Sequence, residues 1–200
     1  SLSDAPGKPY YRISVKREDA VDGRPAGKVS NYLHEQVKED STLWLSAPAG
    51  EFVLDRQDKR PAILISGGVG LTPMVSMLNT LAESEPDRQV IFIHAARNGL
   101  AHALRKEVEL VARKNPQVSV LWCYEAPTSA DQEANIYHKE CFIDLLCLAS
   151  KLPSKEAAFY FCGPVPFMNA VNSALSNWDI PGSDIHYEFF GPAAALEGSA

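Results

Sequence analysis

Three absences narrow the field before any motif is read. No apolar run approaches the roughly 18 residues that a membrane-spanning helix requires, so no membrane partner is expected. There is no excess of positive charge: 19 Lys and Arg stand against 25 Asp and Glu, for a net charge of -6, and the basic residues are scattered. That distribution argues against a surface that tracks nucleic-acid phosphates. Cysteine is sparse, and Cys123, Cys141, Cys147 and Cys162 lack C-x-x-C spacing, with no histidines at zinc-ligand intervals beside them. Reduced thiols and no metal site are expected. The opening Ser1-Leu2-Ser3-Asp4 has neither the charged nor the apolar region of a signal peptide, and with the thiols it points to the cytoplasm.

What is present changes character once along the chain. The 200 residues fit one complete domain and part of another. Tyr11, Ile13 and Val15 alternate with Arg12, Ser14 and Lys16, which predicts a half-buried strand. A loop rich in Asp, Gly and Pro follows, then Ser30 as N-cap of a short helix carrying Leu33 and Val37. Leu43 and Leu45 predict another strand over 42–46. After residue 58 short, continuous apolar runs at 62–66, 90–95, 118–124, 158–162 and 185–189 are separated by helical stripes. The stripes are Met74, Met77, Leu78 and Leu81; Leu104, Val108 and Val111; Phe142, Leu145 and Leu146; and Met168, Val171, Leu175 and Trp178. Strands buried on both faces, alternating with helices, predict an α/β fold with a doubly wound parallel sheet. The expected division is 1–58, the C-terminal part of a β domain; 59–192, the sheet domain; and 193–200, a tail.

The most informative segment joins the first of these strands to its helix: Ile65-Ser66-Gly67-Gly68-Val69-Gly70-Leu71-Thr72-Pro73. Glycines allow close approach of a ligand to the backbone, Thr72 can cap the helix, and Pro73 suits its first turn. The helix start favours an anion such as a diphosphate. A tight packing turn is the alternative reading of the same residues. The spacing is not that of a Walker loop, because no Lys follows the last glycine, which counts against kinase and ATPase chemistry. A second strand ends in Phe161-Cys162-Gly163-Pro164, and ligands in open α/β sheets lie at such strand ends. Cys162 has no neighbouring base, so a buried thiol is the expected fate rather than a covalent nucleophile. His94 and His186 read as packed or surface imidazoles.

Together with Val29-Ser30-Asn31 and Tyr187-Glu188-Phe189-Phe190-Gly191-Pro192, these two motifs give the chain a recognisable order. It resembles the ferredoxin-NADP reductase superfamily, and within it the reductase part of bacterial flavohaemoglobins, the nitric oxide dioxygenases, over residues 11–192. The resemblance implies a β-barrel FAD-binding domain ending near residue 58, followed by an NAD(P)-binding domain. It implies that Gly68, Val69, Gly70, Leu71, Thr72 and Pro73 hold the nicotinamide nucleotide. Cys162, Gly163 and Pro164 would line the meeting place of nicotinamide and flavin, with Cys162 and Glu188 as the catalytic pair and Glu188 tuning the flavin and haem potentials. Phe189, Phe190, Gly191 and Pro192 would form the flavin-contacting terminus, although Phe189 stands where family members often carry Cys.

By the same resemblance Ser1 matches the last residue of an Arg-x-Tyr-Ser flavin motif, and Val29, Ser30 and Asn31 offer a helix start to the FAD pyrophosphate. The family's Arg and Tyr, its earlier strands and its haem-binding globin domain would precede Ser1, so the chain is expected to carry one wall of the flavin site. The implied partners are a nicotinamide nucleotide, FAD and the upstream globin domain with its haem. The implied reaction passes a hydride from NAD(P)H to FAD and electrons on to haem. No acidic residue ends the second strand of the sheet to claim a free 2′-hydroxyl, where Arg97 and Asn98 stand, so weak selectivity is expected, with NADH favoured by the resemblance. Two other readings remain: a nucleotide-binding module without activity of its own, and a reductase serving an iron-sulfur acceptor.

Overall fold

The computed structural model describes residues 1–21, 23–140, 152 and 154–190. The helix expected around Phe142, Leu145 and Leu146, the thiols Cys141 and Cys147, the pair Gly191 and Pro192, and the tail 193–200 lie outside the described residues.

The described residues between 62 and 190 build one parallel sheet. Its strands are β1 (Ala62–Gly67), β2 (Val90–Ala96), β3 (Val118–Tyr124), β4 (Lys139–Glu140), β5 (Ala158–Gly163) and β6 (Ile185–Phe189). Their spatial order is β4-β3-β2-β1-β5-β6, and every neighbouring pair is parallel. Helix α2 (Leu71–Ser84) returns the chain from β1 to β2, α3 (Arg105–Lys114) from β2 to β3, and α5 (Val165–Asn177) from β5 to β6. The short helices α1 (Lys28–Glu35) and α4 (Ser129–Glu133) lie outside these crossovers.

Side-chain alternation along β1 explains the two layers. Ile63 and Ile65 point to one face, against Met168, Val171 and Leu175 of α5, while Ala62 and Leu64 point to the other, against Met74 and Leu78 of α2 and Val108 of α3. Each fully buried aliphatic side chain of this kind stabilises by about 1.5–3 kcal/mol, which makes β1, buried at all six positions, the centre of the core. Helices on both faces make the sheet doubly wound. The chain moves outward from β1 to β2 on one side and returns to place β5 on the other, so the carboxyl ends of β1 and β5 open a crevice.

The first 61 residues behave otherwise. The strands expected over 11–15 and 42–46 are not formed: among the described residues of this region the β pairing is a single bridge, Val21 to Arg24. Alternation gives a segment two faces, but a strand also needs a neighbour offering donors and acceptors along its edge, and none runs beside these. Both expected N-caps fall inside the first turn instead, Ser30 three residues and Thr72 two residues past the actual cap. Helix α1 begins after Gly27, and Ser30 lies inside it, donating to the Gly27 carbonyl and accepting from Glu18 N–H. Helix α2 begins after Gly70, and the Thr72 hydroxyl donates to the Val69 carbonyl. In both places a hydroxyl already within the first turn bonds backward, a competing geometry that sequence alone does not separate from capping.

Candidate functional site: a cavity at the switch point

The crevice at the ends of β1 and β5 is a cavity of about 720 Å³, within the usual range for cofactor sites. Its floor is the glycine loop. Residues Gly68–Gly70 form a 3-10 turn that runs directly into α2, and neither start is capped by a side chain. The Leu71 N–H is taken by the Gly68 and Val69 carbonyls and Pro73 has none, so it is the uncapped glycine turn itself, among the residues lining the cavity, that offers an anion a seat.

The glycines of this loop do different work. Gly68 has φ of +53° with open space around its α-carbon, so it supplies the left-handed turn at the cavity's edge. Gly70 presses against the Cys162 carbonyl, so closely that no side chain could stand there. Gly67 and Gly163 lie under the Phe167 ring, with β-carbon positions only 2.8 and 2.5 Å from it. One glycine serves conformation, and the others let β1, β5 and α5 approach each other. The packing reading and the phosphate reading of this motif thus apply to different residues.

Of the residues singled out in the sequence, Gly68, Val69, Leu71, Thr72 and Pro164 line the cavity, whereas Gly70, Pro73, Cys162 and Gly163 lie behind its wall. Cys162 is fully buried, with its side chain packed toward α2. Burial, with the charge of Glu188 adding to it, pushes its thiol up to about 12, so it is a neutral, unreactive group near neutral pH.

Apart from Arg97, the opposite wall was not read from the sequence. Ser14, Val15 and Lys16 of the first segment line the same cavity, as do Phe167 and the β2–α3 loop through Arg97, Ala101, Ala103 and Leu104. The Ser14 and Lys16 alternation was visible, but which partner it faces depends on how the two regions meet. Side-chain contacts help hold the β2–α3 loop. Asn98 accepts from Ala101 N–H, Gly99 N–H donates to Asp131 at 3.2 Å, and the His102 ring meets the Tyr124 hydroxyl at 3.0 Å. Asp131 belongs to a capping box with Thr128 at the start of α4, and that T-x-x-D pattern is a signal the sequence did offer.

Beneath this loop His94 and His102 stack with ring centroids 4.4 Å apart. Both are buried, and His94 Nδ1 lies 2.9 Å from the Ser66 hydroxyl. Burial lowers His94 to about 3, against the effect of the Ser66 bond, and lowers His102 to about 2, with positive charge on His94 and Arg105 acting in the same direction. These are packed, neutral imidazoles, as expected for His94.

On the other side of the switch point the structure joins the two ends of the described chain. The Ser1 hydroxyl donates to Glu188 Oε2 at 3.5 Å, a long bond between two residues expected at the flavin. Phe189 is partly buried and Phe190 is 39% exposed. Val29 is exposed at the start of α1, while Asn31 is engaged with the Glu18 and Gly27 carbonyls. His186 stacks on Tyr160 at 4.7 Å.

A family model for the oxidoreductase NAD-binding domain matches residues 64–173, the span from β1 to α5 that carries both glycine-containing turns. The chain belongs to this family. Within it the likeness is to flavohaemoprotein reductases. A flavohemoprotein of Bacillus thuringiensis subsp. konkukian is 55% identical over 197 residues, 98% of this chain and 49% of the relative. The flavohem-like FAD/NAD-binding domain of nitric oxide dioxygenase from Vibrio cholerae superposes with a TM-score of 0.82 at 35% identity, covering 96% of this chain and 76% of that one. Flavohemoglobin from Malassezia yamatoensis, with bound FAD and heme, gives a TM-score of 0.53 at 27% identity over 66% of this chain and 32% of its own. The chain spans about half the length of the curated relatives it matches. Among the described residues no helix of this NAD-binding family member is long and apolar enough to cross a membrane.

Proposed function

We propose that the chain binds NAD(P)H in the switch-point cavity and presents it to FAD, as the reductase part of a flavohaemoprotein-type nitric oxide dioxygenase working in the cytoplasm. The single observation that carries this reading is the cavity with an uncapped glycine turn on one wall and Ser14, Val15 and Lys16 on the other. A diphosphate fits the first wall, where the uncapped glycine turn and the helix dipole meet negative charge. Lys16 and Arg97 add cationic side chains at the same cavity. The apolar surface of Val69, Leu71, Pro164 and Phe167 suits the flat rings at the nucleotide's ends and excludes water from them.

Ser1, Glu188 and Phe190 support a flavin edge beside this cavity: a hydroxyl and a carboxylate meet there, and an aromatic ring is left partly open. FAD, when bound, supplies the conversion of a two-electron hydride into single-electron deliveries, and a globin domain with haem is the proposed acceptor. What the residues of this chain contribute is geometry. They hold the donor ring in place and keep water away, which raises rate by orientation rather than by acid or base chemistry. The buried, neutral Cys162 fits a packing role behind the nicotinamide position, and Glu188 sits where a negative charge would act on the flavin's potential.

Titration calorimetry with NADH and NADPH tests the binding half of the proposal. Binding of either that weakens about tenfold in Lys16→Met, as the loss of a charge-assisted phosphate contact predicts, supports it. Absence of binding by the unsubstituted chain overturns it. NADH is the expected preference; a preference for NADPH abolished in Arg97→Ala would instead assign Arg97 to a 2′-phosphate.

A further inference from the structure

The first segment has few apolar anchors, yet its residues 14–16 wall the cavity, so something polar must hold them there. Only Ser3, Asp4 and Ala5 are buried among its described residues. Asp4 is the hub. One carboxylate oxygen accepts from Ala5 N–H at 2.8 Å, from Asn79 of α2 at 2.9 Å and from Lys8 at 3.3 Å, and the other accepts from the Tyr10 hydroxyl at 2.9 Å. The Ser76 hydroxyl of α2 donates to the Asp4 carbonyl at 2.7 Å. Burial alone would raise the Asp4 pKa, but these bonds outweigh it and hold the carboxyl well below the usual carboxylate range.

The same Asn79 amide reaches Glu107 of α3 at 3.3 Å, and Glu107 takes the Arg12 guanidinium in a two-pronged pair at 2.7 and 3.1 Å. Arg12 also binds Ser3 through its Nε and through the Ser3 carbonyl, while Ser3 N–H donates to the Arg12 carbonyl at 2.8 Å. Ser14, the first cavity residue, donates to the Ser3 hydroxyl at 3.0 Å. The network thus runs without a break from α2 and α3 to the cavity wall, and Ser1 lies three residues from its hub.

We propose that Asp4 and Arg12 are positioning residues for the nicotinamide nucleotide: with Asn79 and Glu107 they brace the first segment against α2 and α3 and set the Ser14, Val15, Lys16 wall of the cavity. The inference rests on the cavity being the nucleotide site. Two-pronged Arg–carboxylate pairs impose direction as well as attraction, and a partly buried carboxylate meeting four donors has one arrangement that satisfies them all. The wall is therefore fixed before the ligand arrives, so binding does not have to order it.

Asp4→Ala and Glu107→Gln break the brace from opposite sides, and two readouts follow its state. The first is trypsin cleavage after Arg12, whose guanidinium the brace holds, relative to cleavage after exposed Lys38. The second is NADH affinity by calorimetry. Loss of one network bond, at the ordinary net worth of a hydrogen bond, predicts that the cleavage ratio rises and the affinity falls, each about three- to tenfold, in both variants. An unchanged ratio overturns the brace, as does an equal rise at both sites, which would report general unfolding. A raised ratio with unchanged affinity overturns the positioning role. If the unsubstituted chain binds no NADH, the proposed function fails, while the cleavage ratio still decides whether the brace exists.

Discussion

The two regions of the chain obtain their order from different physics. The described residues between 62 and 190 are held by backbone pairing and by two continuous apolar layers, in which Trp122, Tyr160, Phe159 and Leu64 are excluded from solvent. Residues 1–61 leave Trp44 98% exposed, with Leu45, Val29 and Val53 mostly exposed too. Apart from Phe52 and Leu54, which pack on one layer of the sheet domain, they attach through directional polar contacts: the Asp4 and Arg12 brace, Asp55 N–H on the Tyr160 hydroxyl, and buried Arg88 donating to the Arg60 and Asp55 carbonyls. The sheet domain thus builds half of the cavity rigidly, and the first region lends the other half through bonds that depend on charge and geometry.

The largest test of this contrast is a single substitution in the sheet domain. Trp122 is packed edge-on against Phe92 and His102 at ring separations of 5.9 and 4.8 Å. Trp122→Ala leaves a cavity there, and a loss of about 3–5 kcal/mol in urea unfolding is expected. A loss under about 1 kcal/mol would mean that the layer is looser than its burial implies.

Acid separates the regions next. His94 and His102 have folded-state pKa values near 3 and 2, below the unfolded value of about 6.5, so the unfolded chain binds more protons between these limits. Their contribution is complete above about pH 6.5 and declines as pH falls; at pH 5 the two together remove about 4 kcal/mol. Asp4 is shifted in the same direction but from a lower starting value, so its contribution is complete above the unfolded carboxylate value of about 3.9 and is lost only as pH falls below it. The sheet domain is therefore expected to weaken between pH 6.5 and 5 while the brace is still charged. His102→Asn, which keeps an acceptor for the Tyr124 hydroxyl, halves that loss; an unchanged profile would show that His102 is not the titrating group.

The glycine loop gives a paired test of intermediate size. Gly70→Val forces a branched side chain onto the Cys162 carbonyl, and overpacking predicts a loss of about 3 kcal/mol together with weakened NADH binding. Gly68→Ala meets no neighbour and pays only for its positive φ, about 1 kcal/mol. Equal losses on thermal unfolding would mean that the two glycines are not divided between packing and conformation.

Legibility followed the same division. Five strands of the sheet were readable because a strand buried on both faces writes a continuous apolar run, and α2 and α5 because their stripes recur at helical spacing. Strand β4 is two residues long and leaves no run, and α4 is signalled by its capping box alone. The strands expected over 11–15 and 42–46 failed because alternation specifies faces and not partners. In the site, the glycine turns were legible as local motifs. The Ser14 to Lys16 wall and Phe167 were not, since their roles arise only where distant segments meet. Ser1 and Glu188 entered through family resemblance, and no periodicity would have brought together residues 187 positions apart.

The smallest expected effect is the most direct check on the first region. Trp44→Ala is the same chemical change as Trp122→Ala, made where 98% of the side chain already meets water. Removing an exposed ring returns almost no apolar area to solvent on unfolding, so the transfer contribution vanishes and no cavity forms. A change within about 0.5 kcal/mol is expected in urea unfolding of this chain, with the same dependence on denaturant as the unsubstituted protein. Fluorescence quenching by iodide supplies an independent view, because Trp44 should dominate the accessible fraction of the emission, partly exposed Trp178 should contribute less, and Trp122 none, so Trp44→Ala removes most of the quenchable signal. A loss above about 1 kcal/mol, or a Trp44 shielded from iodide, would place this segment in a packed environment and remove the contrast on which the polar brace is argued.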